Sequence, residues 1–538
     1  MIIQDTDPKG LGKIEVNTLN LPDFVIPCTA TYTSSGTVLL SYKTSTEAEE
    51  KDYYNIAVIN DDGTNFRNIF SGIIPKQPKS NGIRFMVFQN NKQVLLGDYV
   101  LECSPSIDDC TEAKLVPVVY PWEMEKDPRT IAHWSEIIIA PDNEHICWTI
   151  LRSDVCPVGL GILEREKDRY VIAKARIISS MKPFEKDEKN PGYFIPQIIR
   201  GGEVKQFVRG GTAISLVGAK DTAMTNSVVQ DLCSENIDRI TNAPGYDETT
   251  IFSPDERLGI VMSSRGSPKT DPAIFGLMPR PHPYAVQGMM MTLYLYAVAG
   301  VRTFRQGNIG PVLIDIERSM NEEGYQGVVL NDPEEKWVYC SPMSWHPSGK
   351  KAMWPEVLRG SGAPEDSGIM RIRIAELLDY QSRGAIPAQR TPDDIPYGDK
   401  QGWNPELIPE PNVEGRIAAK HSGYIEFKHI KGQGFSSSVE ARYINYSDDG
   451  KTFYNGYEKT KSSLSEESVY EADLEMSGVE QGEMKFRAAF SRLSPIIPGG
   501  AAIEPPKLLF EKAEDGKPKS YGHASYRGIT LKIEDMRE

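Results

Sequence analysis

At seven places along the chain a short apolar run alternates with polar positions, meets a tight polar turn and resumes beyond it. The clearest copy is Thr250-Ile-Phe-Ser-Pro-Asp-Glu256 followed by Arg257-Leu-Gly-Ile-Val-Met-Ser-Ser-Arg265. Pro presets φ for the turn, Asp bonds its own backbone, and the flanks have the period of two that half-buried strands show. Equivalent hairpins are centred on Ser34, Asn90, Pro141, Arg209, Pro347 and Asp448. Two residues before each centre stand Tyr32, Phe88, Ile139, Phe207, Phe252, Trp345 and Tyr446, six of them aromatic in a chain that is 9% aromatic. A position held this large and apolar in every copy predicts a column packed between neighbouring sheets.

The pattern predicts an all-β chain: a seven-bladed β-propeller with four-stranded blades. Ile14–Asn20 alternates like a strand and is expected to complete the last blade. Spacings between turn centres run from 45 to 101 residues, so some units carry insertions. Met181–Gly192 reads as a Lys/Glu/Pro-rich loop without a core pattern. In blade five a long loop, Arg265–Tyr284, precedes Met289–Val301, which reads as a buried strand too short to span a bilayer. Pro387–Pro411 reads as an irregular crossing. Strand patterns beyond it exceed what one blade needs. The expected division is a propeller over 1–460 and, over 461–538, a β extension that completes or decorates the last blade.

Phe252-Ser-Pro-Asp-Glu256 with Ser263-Ser-Arg265 resembles the repeats of TolB-like β-propellers, over residues 14 to 460. Gln89-Asn-Asn91 and Arg209-Gly-Gly211 lack the Pro-Asp core of that motif. The resemblance implies four-stranded blades about a central channel, and it leaves function open, because such propellers serve as binding platforms, peptidase gates and enzymes.

Composition narrows the partners. A formal charge of −15 and a pI near 5.2 argue against a nucleic-acid backbone as the main partner, which would need concentrated positive charge, and leave room for local basic pockets. The first residues are acidic and polar, which points to the cytoplasm, or to the periplasm or secretion if a signal was removed ahead of this numbering. Seven scattered cysteines are typical of reduced thiols, with Cys103 and Cys110 spaced to close a small loop in an oxidising compartment. No Gly-x-Ser-x-Gly elbow, dinucleotide fingerprint or P-loop occurs, so no nucleotide or flavin cofactor is expected. No short-spaced ligand set marks a metal, and a divalent ion assembled from several blades stays open.

In a propeller the start of each innermost strand faces the axis. Six residues before each turn centre stand Cys28, Arg84, Ser135, Glu203, Glu248, Ser341 and Arg442, a polar ring above the apolar column. One reading is an ion-pair ring that plugs the channel. The other is a site in which Arg84, Glu203, Glu248, Arg265, Arg442 and Trp134 hold a substrate while His133, His282 and Tyr284 move protons. Arg152, Glu356 and Arg359 follow second strands and are placed to approach the same mouth. Several arginines would favour a small carboxylated ligand, a sugar acid or an aromatic acid. The expected activity is therefore a proton-transfer lyase or hydrolase on a small polar substrate, by fold-level analogy with propeller polysaccharide lyases. The competing expectation is a non-catalytic propeller that binds a protein or ligand on the channel face, which an exposed apolar patch at Phe275–Leu277 would favour.

Overall fold

The computed structural model describes residues 1–47, 52–75, 85–122, 130–152, 156–179, 184–198, 200–218, 220, 224–267, 269, 272–362, 368–398, 412–432, 436–493 and 504–538. The first blade runs Ile26–Tyr32, Val38–Lys43, Tyr53–Ile59 and Arg67–Ile73, each strand antiparallel to the one before. The second blade (Phe85–Val87 to Glu112–Val119) and the third (Thr130–Ile139 to Tyr170–Ile177) repeat the pattern, and their outer strands touch through the parallel pair Val118 and Tyr170. The fourth spans Glu203–Val208 to Ile237–Arg239, and the fifth spans Asp247–Phe252 to Val328–Val329. The sixth contains Ser344–Trp345, Lys351–Leu358 and Met370–Leu377, with Lys13–Thr18 added on its outside. The N-terminal segment is a strand, as its alternation predicted, but it closes the ring on the sixth blade and not on a seventh beside the chain's end.

Among the described residues, six innermost strands contact one another in sequence, and the sixth returns to the first. This closed circuit makes a propeller. The seventh predicted hairpin is not a blade. It joins Ser437–Ser447 to Thr452–Ser462 inside an eight-stranded antiparallel sheet that begins at Asn412–Ala418 and ends at Ile529–Lys532. The reason is physical: a buried aromatic two residues before a polar turn belongs to any hairpin with one packed face, and Tyr446 satisfies that without a blade around it. The division expected at residue 460 falls inside Thr452–Ser462, a strand in the middle of that sheet. The column itself is buried throughout, with no member more than 8% exposed. It also bridges blades: Trp345 Nε1 donates to Ile251 O at 2.8 Å, and Phe252 N donates to Gln206 Oε1 at 2.7 Å.

Met289–Val301 is helical rather than a strand, in short helices that include Met290–Tyr294 and Gly300–Thr303. Met289, Leu293, Tyr296, Ala297 and Val301 are all buried, and their positions at i, i+4, i+7, i+8 and i+12 follow the helical period. The segment is enclosed because it lies between blades five and six and the inner face of the eight-stranded sheet, in one continuous core with Trp354, Tyr443, Tyr470 and Phe486. Arg359 donates to Val301 O and Gly307 O at 2.8 and 3.0 Å, tying it to blade six. On the other side Thr460 Oγ1 donates to Ala285 O at 2.9 Å. Phe184–Lys186 and Phe194–Pro196 form a hairpin whose Phe184 ring packs on Tyr284 and Phe427, so the expected loop has a core contact there.

Residues 380–398 form a strap across the turn face. Arg383 N donates to Asp255 Oδ2, Gln389 N to Gly210 O and Thr391 N to Asp142 Oδ2, so the strap visits blades five, four and three in reverse order. Gly210 is required here: its φ is +68°, and a Cβ would stand 2.5 Å from Pro387 O. Among the described residues no helix is long and apolar enough to cross a membrane.

Candidate functional site

Glu203 and Glu248 do come together, around a residue that counting back from the turns passed over. Lys205 Nζ lies 2.8 Å from Glu136 Oε2, 2.9 Å from Glu203 Oε2 and 3.6 Å from Glu248 Oε1. Its side chain is 2% exposed, and Glu203, at 21%, is the most open of the four. Three innermost strands contribute, from blades three, four and five, so the cluster sits on the axial side of the ring.

Each innermost strand is bulged where it supplies its group. Val204 pairs with Leu216 and Gln206 with Ser215, leaving Lys205 without an opposite residue. The register also shifts between Trp134 and Ile137, around Glu136, and between Asp247 and Thr250, around Glu248. A bulge inserts a residue and re-aims its side chain.

The electrostatics follow from burial and like charge. Burial pushes the Glu248 carboxyl up to about 7; Lys205 opposes this and Glu203 adds to it. Tyr246 OH donates to Glu248 Oε2 at 2.9 Å, and burial followed by the Glu248 charge raises that phenol well above its usual range. Burial alone would lower Lys205, but the three carboxylates outweigh it and hold the ammonium protonated. The helical insertion reaches this site: the Tyr294 ring lies 6.4 Å from that of Tyr246, and Arg302 Nε donates to Tyr339 O at 3.0 Å. Among the described residues no group of three His, Cys, Asp or Glu is placed to hold a metal ion. In the axial cluster the Lys205 ammonium stands among the three carboxylates, where a cation would otherwise go.

The other expected site residues are distributed elsewhere. Arg84 lies outside the described residues. His133 and Trp134 stand on the innermost strand Thr130–Ile139, and their side chains are outside what is described, as is that of Arg152. Arg265 pairs with buried Asp247 at 2.5 Å and locks the start of the blade-five strand. Glu356 is fully buried between Trp354 Nε1 and Arg371 Nε, a blade-six packing role. Cys28 is half-buried, with its thiol pushed up to about 11 by burial, and Ser341 bonds Tyr339 OH.

His282 and Tyr284 stack at 5.6 Å in the seam between the insertion and the eight-stranded sheet, and His282 Nε2 meets Tyr446 OH at 3.1 Å. Burial lowers that imidazole to about 4. Arg442 is exposed on the outer face of the sheet, beside Glu440 and over the Tyr457 ring, because the seventh hairpin left the ring. It lines a shallow cavity of about 460 Å³ with Tyr193, Arg416, Glu426 and Lys428. Phe275 is fully buried against Tyr470 and Leu277 is 7% exposed, so no apolar patch is presented at Phe275–Leu277.

No protein-family model matches the chain, and no curated protein matches it. Among solved structures it is similar to a putative TolB from Agrobacterium tumefaciens, at 10% identity over 58% of this chain and 94% of that one, with a TM-score of 0.30. TolB from Acinetobacter baumannii matches at 10% identity over 69% and 68%, with a TM-score of 0.33. Prolyl oligopeptidase B from Galerina marginata matches at 8% identity over 80% of this chain and 48% of that chain, with a TM-score of 0.28. At such scores the likeness assigns no activity, and the propeller stands on its own closed ring of sheets.

Proposed function

We propose that the protein is an enzyme working at the axial cluster, with Glu248 as the proton-transfer group and a small polar molecule as substrate. One observation carries this reading: a buried carboxyl held near pH 7 between Tyr246 and Lys205 on the axial side of the ring. A carboxyl poised there can both give and take a proton at neutral pH, which is what elimination and hydrolysis require of an acid–base group. Lys205 and Tyr246 hold its position, and Glu203 is the member most open to solvent. The same chemistry serves a hydrolase or a lyase. A carboxylate on the substrate would be met by Arg302, a guanidinium that feels the charge of Glu248.

The test is a turnover screen over small esters, amides, sugar acids and aromatic acids, followed by the variant Glu248→Gln. Loss of at least about 100-fold in kcat, with a wild-type pH profile that bends near 7, is expected from removing a general acid–base group. Equal rates in wild type and E248Q would remove Glu248 from catalysis. A carboxylate requirement would show as turnover of the acids and not of their amides.

A further inference from the structure

In the second blade two buried thiols face each other across a short loop. Cys103 lies in the strand Tyr99–Ser104 and pairs in register with Ala113, while Ser104 pairs with Glu112 and its carbonyl accepts from Thr111 N at 2.9 Å. Cys110 therefore emerges beside Cys103. Each is 6% exposed, both pack in one apolar cluster with Leu39, Val94 and Leu101, and Cys110 Sγ donates to Glu112 O at 3.3 Å, the residue paired with Ser104.

The loop they flank joins two blades. Its Asp108 accepts from Ser35 Oγ at 2.5 Å and Thr33 Oγ1 at 3.3 Å on the first blade, and it also bonds Thr37 and Asn91. Arg67 of the first blade donates to the carbonyls of Asp108 and Cys110. The ends of the loop are thus the place where a cross-link would hold the seam between blades one and two.

We infer that Cys103 and Cys110 are a disulfide site, closed by a low-molecular-weight disulfide while the chain folds, and that the bond staples the Asp108 loop across this seam. One thiolate attacks the reagent and releases one thiol, and the second then displaces the mixed-disulfide partner. A sulfur–sulfur bond forms, two protons leave, and two electrons reduce the reagent to two thiols. Closure belongs to folding because burial, reinforced by the neighbouring sulfur, raises the Cys103 thiol and leaves little thiolate in the finished blade. The same burial shields the finished bond from reductants.

The experiment refolds the full chain in a mixture of reduced and oxidised glutathione and, separately, directs it to an oxidising periplasm. Soluble protein from each is digested without reduction and mapped by mass. Expected is one cross-linked peptide pair joining Cys103 to Cys110, absent from Cys110→Ser. Hydrogen exchange at 107–111 should be slower in the oxidised than in the reduced wild type. Free thiols at both positions in the soluble protein from both routes, a bond from either cysteine to another, or unchanged exchange in a cross-linked sample would overturn the inference.

Discussion

Arg280 and Glu458 lie 3.0 Å apart with neither side chain exposed to solvent. Arg280 comes from the blade-five insertion and also donates to Met278 O and Phe275 O at 2.6 Å, which fixes the turn that carries it. Glu458 comes from the inner face of the eight-stranded sheet and receives the hydroxyls of Tyr443 and Tyr470. A charge inserted from the propeller is thus neutralised only inside the appended sheet. The two units are held in one register by that contact.

Glu458→Gln or Arg280→Met should each destabilise the protein by about 3–5 kcal/mol, since either leaves one buried charge uncompensated. The double variant with both charges removed should recover part of the loss. Chemical denaturation measures all three. Single variants within ~0.5 kcal/mol of wild type would show that the pair does not join the units.

Glu248 sets a pH dependence whose sign is fixed by its raised value. The folded state holds its proton more tightly than the unfolded chain, so the contribution to stability is full below the ordinary carboxyl range. It declines as pH rises from there to about 7 and is gone above that. E248Q should flatten this decline, by on the order of 1–3 kcal/mol between pH 4.5 and 7.5. Denaturation midpoints across that range, compared between the two proteins, report it; parallel curves would sink the assignment.

The strap should loosen in acid. His145 is buried between Asp142 at 2.7 Å and Asp393 at 2.9 Å. Although burial would raise Asp142, bonds from His145 and nearby amides hold it below the usual range; Asp393 is lowered chiefly by the His145 bond. Depressed carboxyls stabilise above the unfolded carboxyl range and lose that contribution as pH falls through it. Limited proteolysis at 380–398 should therefore accelerate below about pH 4, and His145→Ala, at a cost of about 2–3 kcal/mol, should show fast cleavage already at neutral pH. Cleavage rates equal in H145A and wild type would mean that other contacts hold the strap.

The outer face of the eight-stranded sheet carries a rung of alternating charge. Glu414, Lys428, Glu440, Lys459, Glu471 and Arg487 stand directly opposite one another on successive strands. Lys459→Glu would set like charges against both neighbours. A loss of about 0.5–1 kcal/mol that shrinks in 1 M salt is expected for such exposed pairs. A loss unaffected by salt would point to packing instead.

By itself the sequence determined the hairpins, their buried aromatic column, the all-β class and the N-terminal segment as a strand, because a period of two and a polar turn are local consequences of backbone geometry. It also placed Glu203 and Glu248 near the axis. What the tertiary structure decided was how many hairpins join that ring: Tyr446 is buried like Tyr32 and Phe252, but against an insertion instead of a neighbouring blade. It decided that Met289–Val301 is helical, since an apolar run of this length is compatible with strand or helix and takes its form from what encloses it. And it decided the site. Lys205, Glu136 and Glu248 converge through bulges, which add residues to a strand without any mark in its alternation, and carboxylates from three blades become one titrating cluster only when the ring brings them within 4 Å of a single ammonium.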